Sequence, residues 1–144
     1  MGTFPKKAKS KDFVFEGSSK WIKRMSGGRF GFRFGGSDRW IDALVDAGRK
    51  TFVQKTAEGI VTELAQLPLD YDFNSSCYHQ WNVRKFASSW IFSFNGRTVY
   101  RGMLSVSEAS IGMVMHYCEA VFAGVDVTRH YETEFRSRDV VFHI

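Results

Sequence analysis

The chain has 144 residues, of which 44% are hydrophobic and 16% aromatic, so it can fill one core but is too short for two ordinary domains. Its formal charge is +5 at pH 7. No segment approaches the roughly 18 apolar residues that a membrane-spanning helix needs, and no apolar run follows the first lysines. We therefore expect a soluble protein without a secretory signal.

The positive charge is concentrated at the start of the chain. Residues 1–39 contain 10 lysines and arginines against 3 acidic residues, whereas residues 40–144 contain 10 against 12. Residues 1–11 carry four lysines among mostly small residues and show no apolar periodicity. This pattern predicts a disordered basic arm, followed by a single domain over residues 12–144. Charge asymmetry of this kind indicates a polyanionic partner, nucleic acid before membrane.

The first half of the domain favours two strands and a helix. Residues 12–16 predict a short strand, and the alternation in residues 29–34 predicts a second one, with the phenylalanines on one face and the arginines on the other. Ser37 is a typical helix N-cap, and apolar residues recur at helical spacing from Ile41 to Phe52. The helical spacing of apolar residues resumes at residue 60 and ends at Pro68.

The second half repeats this order. Residues 69–82 have no clean period and predict a loop, whereas residues 84–104 predict two strands joined by a turn at Asn95-Gly96. A capping box at residues 105–108 then precedes a core-facing helix over residues 111–125, and two strands close the chain. The predicted fold is α+β, in the order β-β-α-β-β-α-β-β. It is an antiparallel sheet built from hairpins, with two main helices covering one face.

The motifs argue against an enzyme. The sequence lacks a nucleophile elbow, a P-loop and an HExxH zinc motif, and its four histidines are scattered. Cys77 and Cys118 fit two free thiols in a reducing compartment. We therefore expect an intracellular, non-enzymatic protein without a cofactor or a metal. A cryptic catalytic site around His79 or His130 is left open.

Interleaved basic and aromatic residues provide the stronger functional signal, because cations contact phosphates and aromatic faces stack on bases. The strand aromatics Phe30, Phe32, Phe34, Trp90, Phe92 and Phe94 are assigned to the core and not to base stacking. The predicted nucleic-acid-binding residues are Lys6, Lys7, Lys9, Lys11, Trp21, Lys23, Arg24, Arg29, Arg33, Arg97 and Arg101. Arg97 and Arg101 share a face of their predicted strand. Together these residues predict backbone contacts from the arm and from the open face of the sheet.

Two family resemblances point to the same function. The segment RTVYRGMLSVSEASIGMVM resembles the strand-to-helix passage of Whirly and Pur-type single-strand binders. The order of the segments SKWIKRM, GGRFGFRFGG, SDRWIDALV, WIFSFNG and MHYCEAVF is similar to that of the tombusvirus silencing suppressors. The second resemblance implies a homodimer that holds duplex RNA on a continuous sheet.

We therefore expect a nucleic-acid-binding protein of viral origin, with RNA ahead of DNA, that forms a homodimer or a higher homo-oligomer. The alternative is a small viral structural or counter-defence protein that oligomerises without nucleic-acid specificity. Binding that weakens steeply with salt would favour the first hypothesis. A stable oligomer without nucleic-acid affinity would favour the second.

Overall fold

The structure, a computed structural model, describes residues 9–46, 50–69, 77–106 and 110–132, and every regular element in these ranges is a β-strand. The strands are β1 (Lys9–Gly35), β2 (Arg39–Asp46), β3 (Lys50–Ala57), β4 (Ile60–Pro68), β5 (His79–Phe86), β6 (Ser89–Phe94), β7 (Arg97–Met103) and β8 (Ile111–Glu132). No helix in the described ranges could span a membrane. The fold is all-β, and the α+β prediction is wrong.

All strand pairs are antiparallel. Seven strands follow the order β4-β3-β2-β1-β5-β6-β7, and β8 pairs with β1 in addition. Residues 13–19 of β1 pair with β5, whereas residues 29–35 pair with β2. Since β8 pairs along nearly the whole of β1, the β1–β8 ribbon belongs to two layers of the fold.

The two ends of β1 face each other across the core. The ring centroid of Phe15 lies 4.8 Å from that of Phe32 and 5.0 Å from that of Phe34. Because these rings come from opposite ends of one strand, the ribbon must bend between them. β7 also contacts β3 and β4, so the sheet nearly closes into a jellyroll-like barrel.

The core is predominantly aromatic, as the sequence predicted. The largest side chains with under 2% exposure are Trp81, Trp90, Phe13, Phe15, Phe32, Phe34 and Phe92. Removing one such ring from water contributes roughly 1.5–3 kcal/mol to folding. The core assignment is confirmed for the six aromatics that the sequence analysis named, of which Phe30 and Phe94 are 2% and 5% exposed.

The first predicted helix is instead the three strands β2, β3 and β4. Residues 41–45 are all buried, because β2 packs its inner face on the core and its outer face under a second apolar cluster. A strand that is buried on both faces loses its period-2 signature. Leu44, on the outer face, then combines with Ile41 and Val45, on the inner face, to imitate helical spacing.

The second predicted helix is β8. The β1–β8 ladder is irregular at four places, and each irregularity shifts which residues point inward. The strand therefore shows no simple alternation over its 22 residues. Val114 packs on the outer cluster with Leu44 and Phe52, whereas Phe122 packs against the main core. Apolar residues on two faces again imitated a helical stripe.

The remaining predictions have mixed outcomes. The hairpin at Asn95-Gly96 is confirmed, with positive φ angles of 50° and 82° that suit a type I′ turn. The sequence predicted one continuous strand before this hairpin turn, and that prediction is wrong. A turn at Ala87 and Ser88 divides the segment into β5 and β6. β1 begins at Lys9, so the predicted arm lies outside the described residues only over positions 1–8. The closing strand predicted near residues 140–144 also lies outside them.

Candidate functional site

One layer of the fold carries a groove on its outer surface. The layer consists of β8, the second half of β1, β2, β3 and β4, and the groove has a volume of about 480 Å³. The residues that line it are on the face of this layer directed away from the main core. They are Arg29, Arg33, Trp40, Asp42, Leu44, Gln54, Thr56, Gly59, Val61, His116 and Tyr117.

Leu44, at the floor of the groove, belongs to a closely packed apolar cluster. Leu44, Phe52 and Val114 are 1%, 3% and 8% exposed and form an apolar cluster separate from the main core. Gly31 lies between two of them, since it pairs with Leu44 on β2 and with Val114 on β8. A β-carbon at Gly31 would overlap the carbonyl oxygen of Ala43. The missing side chain therefore lets β1 and β2 approach closely beside Leu44.

A fixed arginine stands above this floor. The Arg33 Nε donates to the Asp42 Oδ1 at 2.7 Å, and its Nη2 donates to the Oδ2 at 3.1 Å. The Asp42 side chain is 2% exposed, whereas that of Arg33 is 39% exposed. The Gln54 Nε2 also donates to the Asp42 Oδ2, at 3.4 Å. The buried carboxylate thus orients a guanidinium whose other N–H groups are available to the groove.

Two aromatic side chains border the groove. Trp40 is half-buried, and the Arg33 guanidinium carbon lies 4.6 Å from its ring centroid. Tyr117 is 75% exposed and has a φ of 52°, a left-handed value that is uncommon for a residue with a side chain. It lies where the β1–β8 ladder shifts register. Strained backbone of this kind is typical of functional sites and directs this ring outward beside the groove.

The opposite end of the groove is basic. Arg29 and His116 are direct partners in the β1–β8 ladder, so their side chains lie on the same face of the sheet. The Arg29 guanidinium carbon lies 5.6 Å from the Phe52 ring centroid. The Cys118 thiol donates to the Arg29 carbonyl oxygen at 3.4 Å, and burial raises the pKa of this thiol. Cys118 therefore acts here as a neutral donor that holds the Arg29 backbone.

The structure brings together only part of the predicted site. Arg29 and Arg33 both line the groove. Arg97 pairs with the buried Phe94, and Arg101 pairs with Ile91, because a bulge interrupts the β6–β7 ladder between them. The prediction that Arg97 and Arg101 share one face of their strand is therefore wrong. Lys9, Lys11, Trp21, Lys23 and Arg24 lie in β1, but their side chains are outside the described part of the structure, as are Lys6 and Lys7 altogether.

Sequence reasoning missed most of the polar groove. Five residues of the groove were assigned to predicted helices. The first predicted helix included Trp40, Asp42, Gln54 and Thr56, and the second included His116. The available signal was the alternation in the segment RWIDALVD, where Trp40 and Asp42 share a strand face. In the described ranges, no group of three histidine, cysteine or acidic side chains could hold a metal ion.

No family model matches the chain, and no curated protein does. Solved structures do match. The carbohydrate-binding module CBM66 from Bacillus subtilis is 19% identical, with a TM-score of 0.67, over 81% of this chain and 74% of that one. Sheep galectin-11, in complex with glycerol, is 8% identical, with a TM-score of 0.65, over 84% and 92%. CG-16, a homodimeric agglutinin from chicken liver, is 10% identical, with a TM-score of 0.62, over 86% and 96%.

These similarities correct the functional predictions. The chain has the β-sandwich fold of these proteins, so its resemblance to tombusvirus suppressors and to Whirly and Pur-type proteins is wrong. The predicted binding of RNA or DNA is also wrong, because it relied on an open sheet backed by helices and the described chain has no helix. Nothing supports the viral origin or the viral alternative. The homodimer stays a prediction. The fold of this chain is shared with a carbohydrate-binding module and with galectins.

Proposed function

We propose that this protein is a non-enzymatic carbohydrate-binding protein that holds a glycan in the groove on the outer face of β8, β1, β2, β3 and β4. The observation that carries the proposal is the Arg33 guanidinium, which the buried Asp42 fixes at two points and which stands beside Trp40 in an open groove. The fold likeness to a carbohydrate-binding module and to galectins supports it.

The groove suits the chemistry of sugars. A sugar ring presents hydroxyl groups at its edge and C–H groups on its faces, so a site needs oriented polar groups together with apolar or aromatic surface. Arg33 and Gln54 supply donors whose positions are set by Asp42 before a ligand arrives. Preorganised donors of this kind add affinity, because little side-chain entropy is lost on binding.

The aromatic surface is supplied at the border of the groove. Trp40 and Tyr117 offer large, rigid side chains with few rotatable bonds, which makes such residues frequent anchors in binding sites. The described part of the groove thus combines an oriented cation, amide and hydroxyl groups, and exposed aromatic surface.

A glycan array followed by calorimetric titration tests the proposal. We expect wild-type protein to bind at least one class of oligosaccharide. Trp40→Ala should weaken that binding about tenfold or more, because an aromatic anchor is lost. Arg33→Lys should weaken it similarly, since lysine cannot make the bidentate contact that holds the cation in place.

Phe86→Ala is the matched control for the aromatic substitution. Phe86 is 74% exposed at the end of β5, in the other layer of the fold. Its removal should leave the glycan affinity unchanged. If Phe86→Ala abolished glycan binding and Trp40→Ala left it unchanged, the glycan would bind outside the groove. The absence of binding to every glycan on the array would contradict the proposed function itself.

A further inference from the structure

The charges along the groove indicate what kind of glycan it takes. Among the lining residues, Arg29 and Arg33 are cations, and Asp42 is the one carboxylate. Asp42 is 2% exposed and already pairs with Arg33 through both of its oxygens. The described lining of the groove therefore contains no second carboxylate that could accept from Arg29.

Arg29 has no acidic partner among the described residues that line the groove. Lys50 also lies over the Phe52 ring, at 5.3 Å, but its Nζ contacts the Glu63 carboxylate at 3.4 Å. Asp46 is opposite Arg29 in the β1–β2 ladder, but it is not among the residues that line the groove. Arg29 instead stacks on Phe52, which orients the guanidinium without neutralising it.

A second basic side chain stands directly beside Arg29. His116 is its partner in the β1–β8 ladder, is exposed, and lines the same groove. Basic residues placed directly opposite each other in an antiparallel pair do not stabilise a sheet, and they repel when both are charged. An anion held between them would turn this arrangement into a favourable one, through charge-assisted hydrogen bonds from both side chains.

Resting on the proposed function, we propose that the glycan is acidic, and that Arg29 and His116 bind an oxyanion on one of its sugars while the other sugars occupy the groove toward Arg33 and Trp40. Carboxylates and sulfate esters share the required chemistry, which is a compact group of negatively charged oxygen acceptors. Arg29 and Arg33 lie four residues apart on β1, which is about 13 Å along the strand. The anionic group and the Arg33 contacts therefore fall on different sugars of an oligosaccharide.

The test compares acidic glycans with neutral counterparts that differ only in the charged group. The array carries oligouronates beside their carboxyl-reduced forms, and sulfated oligosaccharides beside their desulfated forms. Titration calorimetry then measures the best pair. We expect the acidic member to bind at least about tenfold more tightly, as a charge-assisted contact in a groove implies. The pair that shows the preference identifies the oxyanion.

Arg29→Gln assigns the preference to this end of the groove. The variant should lose the preference, so that the acidic and the neutral member bind it with equal affinity. Arg101→Gln is the matched control, because it removes the same charge from an exposed position on β7 and should retain the preference. A polyglutamate of similar length serves as an anion without sugar, and we expect it to bind much more weakly.

The outcomes separate this inference from the proposed function. Equal affinity for the acidic and neutral members would overturn the inference and leave carbohydrate binding intact. An acidic preference that survives in Arg29→Gln, or polyglutamate binding as tight as that of the acidic glycan, would also overturn it. Failure to bind either member of every pair would contradict the proposed function.

Discussion

At the level of single residues, the sequence predicts what points inward better than what lines the groove. The alternation of Phe30, Phe32 and Phe34 with Arg29 and Arg33 is confirmed, because this strand has one uniform apolar face. The role of Arg33 could not be predicted in the same way. Its function depends on a carboxylate nine positions along the chain, and only the pairing of β1 with β2 brings the two together.

Gly31 connects the packing of the sheet to the groove. A β-carbon there would overlap the Ala43 backbone, whereas a β-carbon at Gly36 would meet nothing within 4 Å. We expect Gly31→Ala to lower the free energy of unfolding by about 3 kcal/mol, since a neighbouring strand must shift to admit the methyl group. Gly36→Ala should change it by no more than about 0.5 kcal/mol.

Urea unfolding followed by far-ultraviolet circular dichroism measures both glycine variants. A Gly31→Ala protein as stable as the Gly36→Ala protein would show that β1 and β2 do not approach as closely as described. The floor of the groove would then be wider than its present packing at Leu44 implies.

At the level of elements, the misassigned helices share one physical cause. β2 and β8 bury side chains on both faces, so their apolar residues follow no period of two. The β-branched residues in them, such as Ile41 and Val45 in β2 and Val125 in β8, are a local signal for extended backbone. The Asn95-Gly96 hairpin was predictable because its turn chemistry is local. The turn at Ala87 lacked any glycine or asparagine to mark it.

The β5–β6 turn stores local strain that a glycine should relieve. Ala87 has a φ of 55°, which costs an alanine roughly 1–2 kcal/mol. Ala87→Gly should therefore raise the free energy of unfolding by about 0.5–1 kcal/mol, after the greater entropy of glycine in the unfolded chain is subtracted. Ala57→Gly, on β3, is the control and should lower it by a similar amount.

Denaturant titration of the two alanine variants gives the comparison directly. Opposite changes in the unfolding midpoint are expected, at an unchanged slope. A loss of stability in Ala87→Gly equal to that in Ala57→Gly would mean that Ala87 does not hold the left-handed conformation in solution.

At the level of the whole molecule, the fold depends on contacts that a local pattern does not contain. The β1–β8 ribbon joins residues 9–34 to residues 111–132 and serves both layers, and its irregular register hides the pairing. The excess charge of residues 1–39 was therefore assigned to a nucleic-acid partner. The structure instead places two of its arginines in a groove with an acidic residue and aromatic side chains.

The central claim is that a glycan occupies the outer groove of this layer. The most direct measurement is amide chemical-shift mapping by nuclear magnetic resonance, with the tightest-binding oligosaccharide from the array titrated into isotope-labelled protein. We expect the largest shifts along residues 29–33, 40–44 and 54–56, and at His116. Shifts confined to the outer surface of β5, β6 and β7, with these positions unchanged, would contradict the account.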